Sequence, residues 1–172
     1  ATFSVPYQLE INNICGKRIF DVDMASTITE TKGRITVIDM RVTAGFGVSL
    51  LDGNEQRISE YVTMDGLNEC IGIYVYGDSM SPEYRAGDIV FVRQIFDKSE
   101  IDYGRVYVVC TTNDRVIKCI YPSKHDATLL RLTSLNEDTN RAGDRLYPDK
   151  EIEKDSILFI YKVVGLSRRE QL

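Results

Sequence analysis

Apolar and polar residues alternate along several short stretches of the chain, as they do in half-buried β-strands. This pattern predicts strands over residues 35–42, 57–62, 71–76, 89–92, 106–110, 115–121, 127–133 and 156–164. Turn signals such as Asp52-Gly53-Asn54 separate them, and we expect the two strands around that turn to pair as a hairpin. Many short strands joined by turns are typical of a mainly β domain with a barrel-like arrangement.

Residues 1–35 follow neither the helical nor the extended period, and they lack the two short amphipathic helices of a helix-turn-helix. We therefore predict an N-terminal arm or linker over residues 1–35 and a β domain over residues 36–172. The sequence pattern does not define a structure for this arm.

Composition narrows the class of protein. The 172 residues suffice for one domain with a substantial core, and 43% hydrophobic and 27% charged residues are ordinary for a globular chain. A net charge of −5 argues against direct nucleic-acid binding, which needs a basic face. The sequence shows no membrane-length apolar run and no signal-peptide pattern, so we expect a cytoplasmic protein away from the membrane.

Four cysteines, Cys15, Cys70, Cys110 and Cys119, show no Cys-x-x-Cys spacing, and the chain holds a single histidine. This pattern argues against a metal site. We expect buried thiols in a reducing compartment and no cofactor.

Candidate chemistry centres on Ser79, in the turn Gly77-Asp78-Ser79-Met80-Ser81-Pro82 between two predicted strands. A turn between rigid strands exposes a hydroxyl in a fixed direction, which suits a nucleophile. The same residues are also ordinary turn formers, so a purely structural turn is the alternative.

A serine nucleophile needs a base. His125 lies in the polar stretch Pro122–Asp126, which we interpret as an exposed loop. Lys118 instead lies in an apolar predicted strand beside Val116 and Ile120, where desolvation lowers a lysine pKa. A strand lysine that simply points to water is the alternative.

The Gly-Asp-Ser-Met-x-Pro motif, the Gly87-Asp88 turn and the Val116-Ile117-Lys118 strand together resemble the catalytic domain of the LexA/UmuD/phage-repressor group of self-cleaving S24 serine peptidases. The resemblance covers about residues 36–168. It implies a LexA/signal-peptidase-like β fold and a dyad in which Lys118 is the base for Ser79. It also implies an oxyanion hole formed by the backbone N–H groups of Asp78 and Ser79.

The family cuts an upstream bond, commonly Ala-Gly or Cys-Gly, and Ala44-Gly45 is the candidate here. Small residues leave room for the nucleophile to reach the carbonyl. A flexible loop that is not cut is the alternative interpretation.

The resemblance also implies partners. These are a second copy bound through the C-terminal strand 157–165, a RecA–single-stranded-DNA filament as inducer, and operator DNA through an N-terminal domain absent from this chain. That strand is equally compatible with the core, and Arg168-Arg169-Glu170 is predicted as a solvated end. A non-cleaving dimerisation module, a UmuD-like accessory protein of translesion synthesis, and a membrane-anchored signal-peptidase-like protease are the competing hypotheses.

Overall fold

The computed structural model describes residues 33–39, 58–67 and 69–168, and the secondary structure of these residues is almost entirely β. Single-turn 3-10 helices lie at Lys98–Glu100 and Lys154–Ser156, and this part of the chain has no α-helix. The prediction of a mainly β domain is confirmed. The strands are β1 Arg34–Ile38, β2 Ile58–Thr63, β3 Ile71–Tyr74, β4 Ile89–Ile95, β5 Arg105–Cys110, β6 Arg115–Pro122, β7 Leu129–Thr133, β8 Lys150–Glu153 and β9 Phe159–Ser167.

All nine strands belong to one sheet with the order β2-β1-β3-β4-β9-β5-β6-β7-β8. Every neighbouring pair is antiparallel except β1 and β3, which are parallel. Strand β9 lies between β4 and β5, so it joins the half built from β1–β4 to the half built from β5–β8. Among the described strands, the sheet is open between β2 and β8.

Most predicted strands are present, with shifted ends. The predicted pairing of the first two strands is confirmed, since β1 and β2 are antiparallel neighbours, and the turn Asp52-Gly53-Asn54 lies outside the described residues. Strand β3 ends two residues earlier than predicted, at Tyr74, and β4 continues to Ile95. Strand β8 was not predicted, because Lys150-Glu151-Ile152-Glu153 offers a single apolar residue. It lies at an edge of the sheet, where charged side chains are common.

Both faces of the central strands are buried. Val90 and Val92 of β4 pack in one apolar cluster, whereas Ile89 and Phe91 pack in another on the opposite face. The same alternation appears in β6, where Ile117 packs in the first cluster. The neighbours of Lys118 at two-residue spacing, Val116 and Ile120, belong to a further cluster with β5 and β7. The apolar surroundings predicted for this lysine are therefore present.

Strand β1 approaches β3 closely because residue 72 is glycine. Val37 is paired with Gly72, and a Cβ at Gly72 would lie 2.8 Å from Cγ2 of Val37. No real side chain fits at that distance without movement of the neighbouring strand. Gly72 therefore sets how closely the β1–β2 hairpin lies against the rest of the sheet.

The three cysteines in the described residues, Cys70, Cys110 and Cys119, are buried, as predicted. Burial raises the pKa of the Cys110 thiol to about 12. Cys15 lies outside the described residues.

Candidate active site

The loop between β3 and β4 is closed by backbone hydrogen bonds at its base. The N–H of Val75 donates to the carbonyl of Asp88 at 2.8 Å, and the N–H of Gly87 donates to the carbonyl of Val75 at 2.9 Å. Gly77 and Gly87 have φ angles of +72° and +92°, which glycine adopts without steric cost. These two glycines let the chain turn sharply on both sides of Ser79.

Ser79 lies inside this loop on a short, hydrogen-bonded turn. The N–H of Ser81 donates to the carbonyl of Asp78 at 3.0 Å, and the N–H of Tyr84 donates to that of Met80 at 3.0 Å. Met80 is 2% exposed and packs in the first core cluster, whereas Ser79 is half-buried. The buried methionine anchors the turn and leaves the serine hydroxyl at the surface of the core.

Lys118 reaches this turn from β6. Its Nζ donates a hydrogen bond to Oγ of Ser79 at 2.6 Å, although the two residues are 39 positions apart in the chain. Desolvation by burial lowers the pKa of the Lys118 amine below its usual value of 10.5. The structure thus brings together the two side chains selected from the sequence, while their catalytic roles stay predictions.

A cavity of about 220 Å³ borders Lys118. Val116, Leu132 and Ile152 contribute apolar lining, and Asn113 and Asp114 contribute polar lining. Ser79 does not line this cavity, so of the two candidate side chains only Lys118 borders it.

Asn136, which follows β7, holds the backbone of the serine turn from the other side. Its Nδ2 donates to the carbonyl of Asp78 at 2.9 Å, and its own N–H donates to the carbonyl of Ser79 at 3.0 Å. The side chain is buried, at 5% exposure, and its Oδ1 accepts a hydrogen bond from the N–H of Asp138 at 2.7 Å. Asn136 carries no local sequence signal, because the two serine-turn residues that it binds, Asp78 and Ser79, lie 58 and 57 positions away in the chain.

Arg145 fixes the segment that carries Asn136. One guanidinium nitrogen, Nη2, donates to the carbonyls of Ser134 and Asn136 at 3.0 and 3.2 Å. The same side chain pairs with Asp149 at 3.4 Å. Asn136 is thus held on both its side-chain and its carbonyl sides.

Asp88, at the far end of the loop, is 4% exposed and carries an ion pair. Nη2 of Arg168 lies 3.1 Å from its Oδ2 and also donates to the carbonyl of Glu83 at 2.9 Å. The N–H of Arg85 donates to the same carboxylate oxygen at 2.9 Å. Arg168 is exposed, as predicted for a solvated end, but its guanidinium also compensates a buried carboxylate, a contact that the sequence did not indicate.

Two tyrosines connect this loop to the β1–β2 hairpin. The hydroxyl of Tyr76 donates to Asp39 at 2.7 Å, and the hydroxyl of Tyr74 donates to Glu60. Asp39 follows β1 directly and Glu60 belongs to β2, so both arms of the hairpin are tied to the chain that leads into the serine turn. The candidate bond Ala44-Gly45 lies in the connection between the arms, outside the described residues.

The remaining candidates do not enter the site. His125 is exposed in a loop, as expected, where its backbone N–H donates to Ser123 Oγ at 3.1 Å. In residues 33–39, 58–67 and 69–168, no three histidine, cysteine or carboxylate side chains gather as a metal ion would need. Over the same ranges, no helix is long and apolar enough to span a membrane.

The class defined by this geometry is a mainly β protein with a serine turn hydrogen-bonded to a desolvated lysine. A family model described as Peptidase S24-like matches residues 36–164. Since the match spans well over half of the chain, the protein belongs to the Peptidase S24-like family. The resemblance inferred from the motifs is confirmed. A search of curated proteins found no match.

Proposed function

We propose that this chain is the self-cleaving part of a LexA-like or phage-repressor-like transcriptional regulator, and that it cuts its own Ala44-Gly45 bond. The observation that carries the proposal is the 2.6 Å contact between Lys118 Nζ and Ser79 Oγ, made by an amine whose pKa is lowered by burial. A desolvated lysine is one of the known bases for a serine nucleophile.

In the proposed reaction, neutral Lys118 takes the proton of the Ser79 hydroxyl while Oγ attacks the carbonyl carbon of Ala44. The oxyanion that forms on Ala44 is stabilised by the backbone N–H groups of Asp78 and Ser79. Lys118 then gives its proton to the nitrogen of Gly45 as that bond breaks. Water, deprotonated by Lys118, hydrolyses the Ser79 ester and releases a carboxylate at Ala44.

The position of Asp39 supports delivery of the bond within one chain. Its carboxylate is bound by Tyr76, three residues before Ser79. Ala44 is five residues further along, and five residues span at most about 17 Å. Tethering substrate and nucleophile in this way replaces a bimolecular encounter by a unimolecular step, which greatly raises the effective concentration of the bond.

For partners, we propose a homodimer, a RecA–single-stranded-DNA filament as inducer, and operator DNA bound through a domain outside this chain. Beyond Lys162, β9 pairs only with β4 among the described strands. Val164 and Leu166, in that half of β9, are 37% and 40% exposed. An apolar strand with one open edge suits an interface with a second copy of the chain. The proposed reaction itself needs no cofactor.

Intact-mass spectrometry tests the proposal. The purified chain is incubated at about pH 10, near the ordinary lysine pKa, beside Ser79→Ala. We expect fragments that end at Ala44 and begin at Gly45 in the wild type, and an intact chain in the variant. An intact chain in both samples, including after addition of a RecA–single-stranded-DNA filament, would favour the non-cleaving dimerisation module over the peptidase.

A further inference from the structure

We infer that Asn136 is a positioning residue for the proposed reaction: it orients the Ser79 N–H towards the oxyanion. The inference rests on the proposed function of Ser79. The evidence is the pair of hydrogen bonds from Asn136 to two consecutive carbonyls, from Nδ2 to Asp78 at 2.9 Å and from the backbone N–H to Ser79 at 3.0 Å. One buried residue therefore binds the backbone on both sides of the nucleophile's Cα.

Peptide planarity turns these contacts into an orientation. The carbonyl of Asp78 and the N–H of Ser79 belong to the same trans peptide, in which the two groups point in opposite directions. Holding the oxygen on Asn136 therefore points the Ser79 N–H away from Asn136. The Ser81 N–H, which donates to the same oxygen at 3.0 Å, adds a second restraint.

The support behind Asn136 is rigid. Its Oδ1 is occupied by the Asp138 N–H, and its carbonyl accepts from Arg145. Oxyanion stabilisation depends on donors that are aimed before the reaction begins, because reorientation during the reaction costs free energy. A buried amide held from two directions meets that requirement.

These hydrogen bonds involve neither Ser79 Oγ nor Lys118 Nζ. Asn136 is therefore expected to affect charge stabilisation on the substrate and to leave the nucleophile and its base unchanged. Loss of oxyanion stabilisation therefore slows cleavage and leaves the reactivity of Ser79 and the pKa of Lys118 unchanged. A general loosening of the loop would not leave them unchanged.

The first test compares self-cleavage of the full chain with that of Asn136→Ala and Asn140→Ala across alkaline pH. Asn140 is a matched control four positions away: it is exposed, and its Oδ1 accepts from the N–H groups of Ala142 and Asp144. We expect Asn136→Ala to slow cleavage at least about tenfold, with an unchanged apparent pKa, and Asn140→Ala to match the wild type.

The second test uses Ser79→Cys with and without Asn136→Ala. In alkylation by iodoacetamide, the thiolate sulfur displaces iodide at carbon, so no oxyanion forms. We expect equal alkylation rates at position 79, measured by peptide mass spectrometry, in both proteins. The inference about Asn136 is overturned if Asn136→Ala slows alkylation, shifts the apparent pKa of the cleavage rate, or leaves cleavage at the wild-type rate. The proposed function stands in each of these cases. A wild-type chain that is never cut overturns the proposed function and the inference with it.

Discussion

Arg168 pairs with Asp88 across 80 positions of sequence, and the pair is asymmetric: the carboxylate side chain is 5% exposed and the guanidinium side chain 39%. Removing the arginine leaves a buried carboxylate without its cation. We expect Arg168→Ala to lower the free energy of unfolding by about 2 kcal/mol, as for a lost charged hydrogen bond. Urea unfolding at neutral pH measures this change.

Lys150→Ala is the control for that experiment. Its ion pair with Asp114, at 3.2 Å, joins side chains that are 66% and 53% exposed. Such a surface pair contributes at most about 1 kcal/mol, so we expect little change in the urea midpoint. Equal losses in the two variants would mean that the burial of Asp88 is not what makes its pair important.

Substitutions at Lys118 separate its proton affinity from its charge. Lys118→Met keeps the length of the side chain without a base, and Lys118→Arg keeps a cation that stays protonated at any working pH. We expect both to reduce self-cleavage by more than about 10³-fold, the scale of losing a member of a catalytic dyad. Fragment yield over time gives the rate, and circular dichroism checks that the variants fold. Cleavage at the wild-type rate in either would remove Lys118 from the mechanism.

The rate of self-cleavage is expected to depend on pH with a definite sign. The active base is the neutral amine, and its fraction grows as pH rises through the pKa of folded Lys118. Burial lowers that pKa, so the half-maximal rate is expected below pH 10.5. Well below the pKa, the rate rises about tenfold per pH unit. A rate that does not change from neutral to alkaline pH contradicts the lysine base.

Gly72→Ala tests the close approach of β1 to β3. The new Cβ meets Cγ2 of Val37 and, at 3.1 Å, Cγ2 of Ile89, so we expect a loss of about 1–3 kcal/mol in unfolding free energy. Val37→Ala removes the nearer contact. In the double variant, the loss is expected to be smaller than the sum of the two single losses. Strict additivity would show that the contact with Val37 is not the cause.

The sequence was sufficient to predict most strands, because alternating apolar and β-branched residues indicate which face of a strand is buried. Strand β8 escaped because its charged residues conceal that alternation, and β3 ended early because Val75 bonds to Asp88 and Gly87 in the loop. Local patterns are also silent about tertiary contacts. From the sequence alone, the polar residues Asn136 and Arg168 are indistinguishable from ordinary surface residues. Only the fold shows that they contact the serine loop.

Ser79 and Lys118 could be predicted from the sequence for a different reason. Each lies in a short motif whose order along the chain matches the family, and the apolar surroundings of Lys118 are themselves a local pattern. Their hydrogen bond, however, needs the loop after β3 to reach β6, which no local pattern encodes. The bond Ala44-Gly45 lies outside the described residues, so its cleavage stays a prediction.

The placement of β9 has a consequence for when cleavage is possible during synthesis. Ser79 belongs to the half of the sheet that is made first and Lys118 to the half that follows. Strand β9, which pairs with both halves, is the last of the described strands to be translated. A chain still emerging from the ribosome has Ala44-Gly45 but lacks the strand that joins the two halves. On the proposed mechanism, we therefore expect the bond to become cleavable only after β9 has been synthesised.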